Sequence, residues 1–184
     1  MSSIAKNKKL ARQHWRSLPI PPSDWVVSAS QSIVEKIVSS PEFKAAGQVS
    51  SFSALPWEPN LFGVWKAAPQ KVVYPRIDYG RDRIDFFFLT RLEELTPNRH
   101  QILEPPVDHP ARTWKAGDII LVPALAFDRN LNRLGSGKGY YDRFLDRIPH
   151  GVLRWGVVFK SRISPTALPV EDFDQKVDRI ISDE

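Results

Sequence analysis

Apolar residues recur every three or four positions in the first third of the chain and later crowd into short unbroken runs. This change of rhythm separates helices from strands. In IAKNKKLARQHWRSLP, residues Ile4, Ala11, Trp15 and Leu18 share one helical face, and the prolines from 19 to 22 end the helix. A second amphipathic helix spans 25–38, with Val26, Ala29, Ile33 and Ile37 as its buried face and Ser23 as the expected N-cap. A short strand QVSSFSAL, a helical LFGVWKAA and a strand KVVYPRI come next. The aromatic run in RIDFFFLT suits a strand covered on both faces. Residues 96–115 are proline-rich and aperiodic and read as one long loop, a kind of segment that is often functional. The strand DIILVP then runs through PALAFDRNLN into a glycine-rich turn. A helix over 140–148 offers Phe144, Leu145 and Ile148 for packing, and VLRWGVVFK and DRIIS are the closing strands. Strands alternating with helical segments predict an α/β sheet carrying helices on its faces. With no internal repeat or linker, a single domain over 1–184 is expected.

Composition narrows the chemistry. A chain of 184 residues buries roughly 70% of its unfolded surface, enough for a substantial core. No apolar run approaches the ~20 residues of a membrane span, and no apolar segment follows the N-terminal lysines, so a cytoplasmic protein is expected. The absence of cysteine excludes disulfides, thiol nucleophiles and cysteine-ligated metals. The four histidines lack metal-ligand spacing, so a metal site would rest on carboxylates, which favours magnesium. A net charge of +5 attracts polyanions. Because the basic residues are dispersed among carboxylates, a multiply anionic small molecule is expected rather than nucleic acid. Lys8, Arg12 and Arg16 form an i, i+4 row beside the apolar face of the first helix. The row reads either as a solvated stripe, which spacing alone favours, or as a basic edge over a cleft.

RLGSGKGYYDRF, residues 133–144, resembles a phosphate-binding turn without matching either common nucleotide fingerprint. Asn132 and Gly139 stand where the P-loop needs a glycine and a hydroxyl, and Tyr140 stands where the dinucleotide motif needs its third glycine. Glycines at 135, 137 and 139 would let backbone N–H groups approach phosphate, with Lys138 and Arg133 as cations. The alternative is a turn in which glycine only permits positive φ. Asp142 follows in the first helical turn, and either Asp174 or Asp178 could join it to hold magnesium on phosphate oxygens.

LVPALAFDRNLNRLGSGKGYYDRFL resembles the signature of the 5-formyltetrahydrofolate cyclo-ligase family. The resemblance extends to Lys8 and Arg12, Pro75 and Arg76, Glu104 and Pro105, and the terminal DQKVD. It implies ATP- and magnesium-dependent closure of 5-formyltetrahydrofolate to 5,10-methenyltetrahydrofolate, with release of ADP and phosphate, through phosphorylation of the formyl oxygen. It also implies a three-layer α/β/α fold with a mostly parallel central sheet, similar to sugar-phosphate isomerases and coenzyme A transferases. By position, the resemblance places ATP against Lys8, Arg12 and the stretch Arg133, Leu134, Gly135, Ser136, Gly137, Lys138, Gly139, Tyr140 and Tyr141. Lys138 and Arg133 would be catalytic, Asp142 and Asp174 would hold magnesium, and Ser53, Glu58, Ser136 and Tyr140 would line the folate. Two other readings stay open: an ATP-binding accessory homologue without folate turnover, and a nucleic-acid-binding domain. Oligomeric state is not legible.

Overall fold

The computed structural model describes residues 3–184. The N-terminal part holds α1 (Ser3–Ser17), α2 (Ser23–Ser39), α3 (Pro41–Ala45), β1 (Val49–Ser50), α4 (Phe62–Ala67), β2 (Val72–Asp78) and β3 (Arg83–Phe88). Two strands, β4 (Thr96–Pro97) and β5 (Leu103–Glu104), form a small hairpin. They are followed by β6 (Ile119–Val122), β7 (Ala126–Asp128), β8 (Arg133–Leu134) and α5 (Tyr140–Leu145). The chain closes with β9 (Leu153–Val157), β10 (Ile163–Ser164) and β11 (Arg179–Ile181).

Six strands make the central sheet in the order β11-β9-β6-β1-β2-β3, parallel except for the β2–β3 pair. Strand β6 is buried along its whole length, as expected where both faces of a parallel sheet are covered. Ile119 and Leu121 face a core built with Ile33 and Ile37 of α2, Phe43 of α3 and Val64 of α4. Ile120 and Val122 face the opposite core with Leu145 of α5. Alternate residues of one strand therefore serve two helical layers, which is the period-2 geometry of a strand at work. A three-stranded sheet, β10-β7-β8, packs alongside, and α1 covers it through Trp15 with Leu125 and Leu134 beneath.

Several local expectations are corrected. Ser23 does not cap α2; Pro22 occupies that position and no side chain bonds the helix end. Ile4 is exposed rather than on the buried face of α1. The segment QVSSFSAL pairs as a strand only at Val49–Ser50, and α5 stops at Leu145, short of residue 148. The run RIDFFFLT forms an edge strand over Arg83–Phe88 in which only Ile84 and Phe86 are buried, with Leu89 buried just beyond it. Its outer edge is satisfied by the following segment: Phe88 N–H donates to His109 O and Ala111 N–H to Phe86 O, each at 2.7 Å. The stretch 96–115 is thus not one aperiodic loop, since it contains the β4–β5 hairpin and this edge pairing. PALAFDRNLN likewise is no plain connection: β7 turns back into β8 there. Asp128, buried, accepts hydrogen bonds from the backbone of Asn130, Asn132 and Leu168 and from the Asn132 side chain. Burial alone would raise this carboxyl, but the four bonds outweigh it and hold Asp128 below the usual carboxylate range.

The two sheets meet where the ring of Phe127 lies on Gly156 of β9. A β-carbon at 156 would fall 2.6 to 2.9 Å from three ring atoms. Gly156→Ala should therefore overpack the junction and cost about 1–3 kcal/mol, lowering the thermal midpoint by several degrees. An unchanged midpoint in thermal denaturation would show that the junction is not close-packed.

Candidate active site

The parallel strands point their carboxyl ends at one cavity of about 700 Å³, at the place where the chain order reverses across the β1–β6 pair. Ser53 beyond β1, Pro123 and Ala124 beyond β6, and Pro75 and Ile77 of β2 form its floor. Helix α1 supplies Lys8, Arg12 and Arg16 from above. The glycine turn with Arg133 and Lys138 closes one side, and Glu171, Phe173 and Asp174 another. Of the residues singled out from sequence, Ser53, Glu58, Gly135 to Asp142, Arg133, Asp174, Lys8 and Arg12 all line this cavity. Leu134 does not. Its side chain is fully buried in the core beneath α1, so its place in the signature is explained by packing. Asp178 also lies elsewhere, accepting the Arg154 N–H at 2.6 Å, so Asp174 is the carboxylate that joins Asp142.

The basic row on α1 is the edge of a cleft rather than a solvated stripe. Lys8 is only 3% exposed, and its Nζ lies 2.7 Å from Glu171 and 2.6 Å from Asp174. Arg12 Nε donates to Gly135 O at 3.0 Å, and Arg16 donates to Ser136 O at 2.8 Å, so two guanidinium groups hold the glycine turn by its carbonyls. Arg133 is also buried, with its NH2 group 2.7 Å from Asp142 Oδ1. Removing one partner from a buried pair of this kind costs about 3–5 kcal/mol. The glycines make room for these cations. A β-carbon at 135 would sit 2.7 Å from the Arg133 guanidinium, one at 137 would touch Arg12 at 3.3 Å, and one at 139 would meet Arg143 at 2.8 Å. Gly137 and Gly139 also adopt φ of +98° and +68°, a region that disfavours side chains. Lys138 is exposed, and among the described residues its ammonium has no protein partner.

Deeper in, the cavity is polar and unsatisfied. Ser53 Oγ, Trp57 Nε1, Tyr141 OH and Arg133 Nε are buried without hydrogen-bond partners. Each such atom costs about 1–3 kcal/mol, a cost that a bound ligand with matching groups removes. Glu58 lies among them, 8% exposed. Burial pushes its carboxyl up to about 7, against the lowering effects of the Leu55 N–H, which donates to Oε2 at 2.9 Å, and of the Arg162 charge. Tyr141 is raised above its usual range by burial first and then by the charge of Glu58, with Arg133 opposing. The site thus joins a cationic half at the glycine turn to a buried half of unpaired polar groups around the Glu58 carboxyl.

Asp142 and Asp174 offer hard oxygen donors suited to magnesium. Among the described residues no set of three or more acidic or histidine side chains is grouped for a metal, so a bound ion would take its remaining ligands from phosphate oxygens and water. Sequence reasoning missed Glu171, Phe173, Trp57, Arg99 and Glu104 as cavity residues. Glu104 had a local signal in its EP dipeptide. It is buried and accepts from Ile77 N–H at 3.0 Å and Asn98 Nδ2 at 2.7 Å, which ties β2 to the hairpin. The carboxylate spacing in EDFD was the available signal for Glu171.

The family model described as the 5-formyltetrahydrofolate cyclo-ligase family matches residues 5–183. The chain is 31% identical over 162 residues to the 5-formyltetrahydrofolate cyclo-ligase of Mus musculus, covering 81% of this chain and 79% of that protein. Its fold is similar to the solution structure of Aquifex aeolicus 5,10-methenyltetrahydrofolate synthetase, with a TM-score of 0.77 at 24% identity over 100% of this chain and 91% of that one. The 5,10-methenyltetrahydrofolate synthetase from Mycoplasma pneumoniae matches with a TM-score of 0.67 at 21% identity, over the whole of both chains.

The Glu58 shift predicts a pH signature in the ligand-free protein. The folded carboxyl holds its proton up to about 7, whereas the unfolded group titrates near 4.5. Its contribution to stability is therefore complete below about 4.5 and is lost as pH rises through about 7, by up to a few kcal/mol. Glu58→Gln should remove that loss, so the stability of wild type relative to the variant falls between these limits in denaturant titrations. Parallel pH curves for the two proteins would contradict the assignment.

Proposed function

The chain belongs to the 5-formyltetrahydrofolate cyclo-ligase family, and from that premise we propose that it closes 5-formyltetrahydrofolate to 5,10-methenyltetrahydrofolate, converting ATP to ADP and phosphate. The observation that carries the reading is the two-part cavity. Lys138, Arg12, Arg16 and Arg133 gather around the glycine turn, where a triphosphate needs cations. Ser53, Trp57 and Tyr141 present unpaired polar atoms beside the Glu58 carboxyl, where a heterocycle rich in N–H and C=O groups needs partners.

The formyl oxygen is a poor leaving group, so ring closure requires its activation. In the proposed sequence that oxygen attacks the γ-phosphorus as the bond to ADP breaks, giving an iminium-like formyl phosphate. N10 of the folate then attacks the formyl carbon and gives up its proton, and phosphate departs with the former formyl oxygen. Lys138 follows the transferring phosphoryl group with its mobile ammonium, and Arg133 holds a fixed charge beside it. Lys8 and Arg12 contact the phosphates from α1. Asp142 and Asp174 would hold magnesium, which would supply charge neutralisation on the phosphate oxygens. The chain's own contribution is positioning and preorganised charge, so no nucleophilic side chain is needed. Glu58, near its midpoint at neutral pH, can donate to or accept from the pterin, and Ser53, Ser136 and Tyr140 line the folate. We place the reaction in the cytoplasm. The mostly parallel sheet with helices on both faces is an arrangement we propose to be shared with sugar-phosphate isomerases and coenzyme A transferases, a likeness that says nothing about activity.

Mixing the protein with 5-formyltetrahydrofolate, ATP and magnesium should raise the absorbance of the methenyl product, and omitting ATP should abolish the rise. ATP binding without any rise would favour the accessory-protein reading instead. Lys138→Ala should lower turnover roughly a hundredfold or more while leaving the fold intact, since its exposed ammonium has no structural partner. Turnover equal to wild type in that variant would remove Lys138 from the chemistry.

A further inference from the structure

A second cavity, of about 610 Å³, opens on the far side of Ile84 and Tyr140, two residues that also line the first. Its rim carries Arg81, Arg83, Arg112, Arg143 and Arg147 against a single lining carboxylate, Asp85. Three of these arginines are already paired: Arg83 with Asp85 at 3.0 Å, Arg143 with Asp82 at 3.0 Å, and Arg81 with Asp78 at 3.5 Å. Arg112 and Arg147 have no carboxylate partner among the described residues; the Arg112 guanidinium lies 5.2 Å from the centre of the Phe88 ring. Arg143 keeps a buried Nε without an acceptor and stands at the boundary, 5.2 Å from the Tyr140 ring. The floor is a preformed aromatic cluster, with Phe86 4.7 Å from Phe144 and 5.5 Å from Trp114 between ring centres.

We infer that this cavity receives the carboxylates of the glutamyl end of the folate substrate. The inference rests on the folate reading above and names a specificity site beyond it. Of the two substrates, ATP finds its cations at the glycine turn. The remaining anionic charge is on the glutamate, which the rigid p-aminobenzoyl group carries away from the pterin and the reacting N5 and N10. Ile84 and Tyr140 line both cavities, so a ligand held by its pterin near Glu58 would pass these two side chains to reach the arginine-rimmed cavity. An aromatic floor under a cationic rim suits a chain that alternates methylene, amide and carboxylate groups: the methylenes and amide planes lie on the rings, and the carboxylates reach the guanidiniums. Nucleotide phosphates, which lack an apolar chain, gain nothing from that floor.

The test is the double variant Arg112→Ala/Arg147→Ala, which removes two exposed side chains outside the catalytic cavity. KM is measured for 5-formyltetrahydrofolate carrying one or three γ-linked glutamates and for the pteroate analogue that has none. The double variant should raise KM for the glutamylated forms by roughly tenfold, more for the triglutamate, with kcat and the KM for ATP unchanged. The KM for the pteroate analogue should not move. Unchanged KM for the glutamylated forms, or an equal rise for the pteroate analogue, overturns the inference. Calorimetry with p-aminobenzoyl-triglutamate reads the same site without turnover. Binding by wild type that weakens about tenfold in the double variant supports the inference even if no methenyl product forms. Equal binding by the two proteins, or none by wild type at millimolar ligand, overturns it.

Discussion

One buried ammonium joins the two ends of this protein. Lys8, on the first helix, reaches Glu171 and Asp174 more than 160 residues later, and it does so from a position only 3% exposed. A lysine there is stable only because both carboxylates meet it at hydrogen-bond distance. The contact holds α1 over the carboxyl ends of the parallel strands, and it brings Arg12 and Arg16 onto the carbonyls of the glycine turn. Together with the packing of Trp15 on Leu125 and Leu134, that clasp gives the cavity its upper wall.

The same economy of charge runs through the site. Each fixed cation has a provisional partner: Lys8 with Glu171 and Asp174, Arg133 with Asp142, and Arg12 and Arg16 with backbone carbonyls. In the proposed reaction a triphosphate would be met by the guanidiniums of Arg12, Arg16 and Arg133 beside the glycine turn, and Asp142 and Asp174 would hold magnesium. Arg12 and Arg16 meet only neutral carbonyls and Lys138 meets no partner among the described residues, so the glycine turn keeps uncompensated positive charge for a polyanion. The buried half follows a different logic. There, Ser53, Trp57 and Tyr141 keep unpaired polar atoms and Glu58 is held close to neutrality by burial, a stored cost that only a ligand offering matching polar groups relieves.

Much of the fold was legible where burial imposes a period. Ile33 and Ile37 mark the inner face of α2, and Ile119 to Val122 form a strand covered on both sides, because a continuous apolar run has no other stable place in an α/β domain. The glycine turn and Asp142 were legible through their spacing, Ser53 and Glu58 only through the family resemblance, and the structure brings all of them to one cavity. What periodicity could not carry were contacts between distant segments. Lys8 sits in a row that looks solvated, and only its carboxylates near the C-terminus make it an interior residue. Strand β3 reads as central because Phe86, Phe87 and Phe88 are consecutive, yet a proline-containing segment, not another strand, covers its edge. Leu134 falls within a functional signature for a packing reason, and the arginines of the second cavity come from β3, α5, the turns beside them and the irregular segment along the edge of β3, with no shared spacing to announce them.

The chemical centre of this account is that the formyl oxygen of the folate leaves on phosphate. Substrate labelled with ¹⁸O in the formyl group tests that step directly, by mass analysis of the inorganic phosphate formed in a single turnover. The account predicts one labelled oxygen in each phosphate released with methenyl product. Unlabelled phosphate, formed alongside the same amount of product in ordinary water, would mean that ATP is hydrolysed by solvent and that the cavity activates the formyl group by another route.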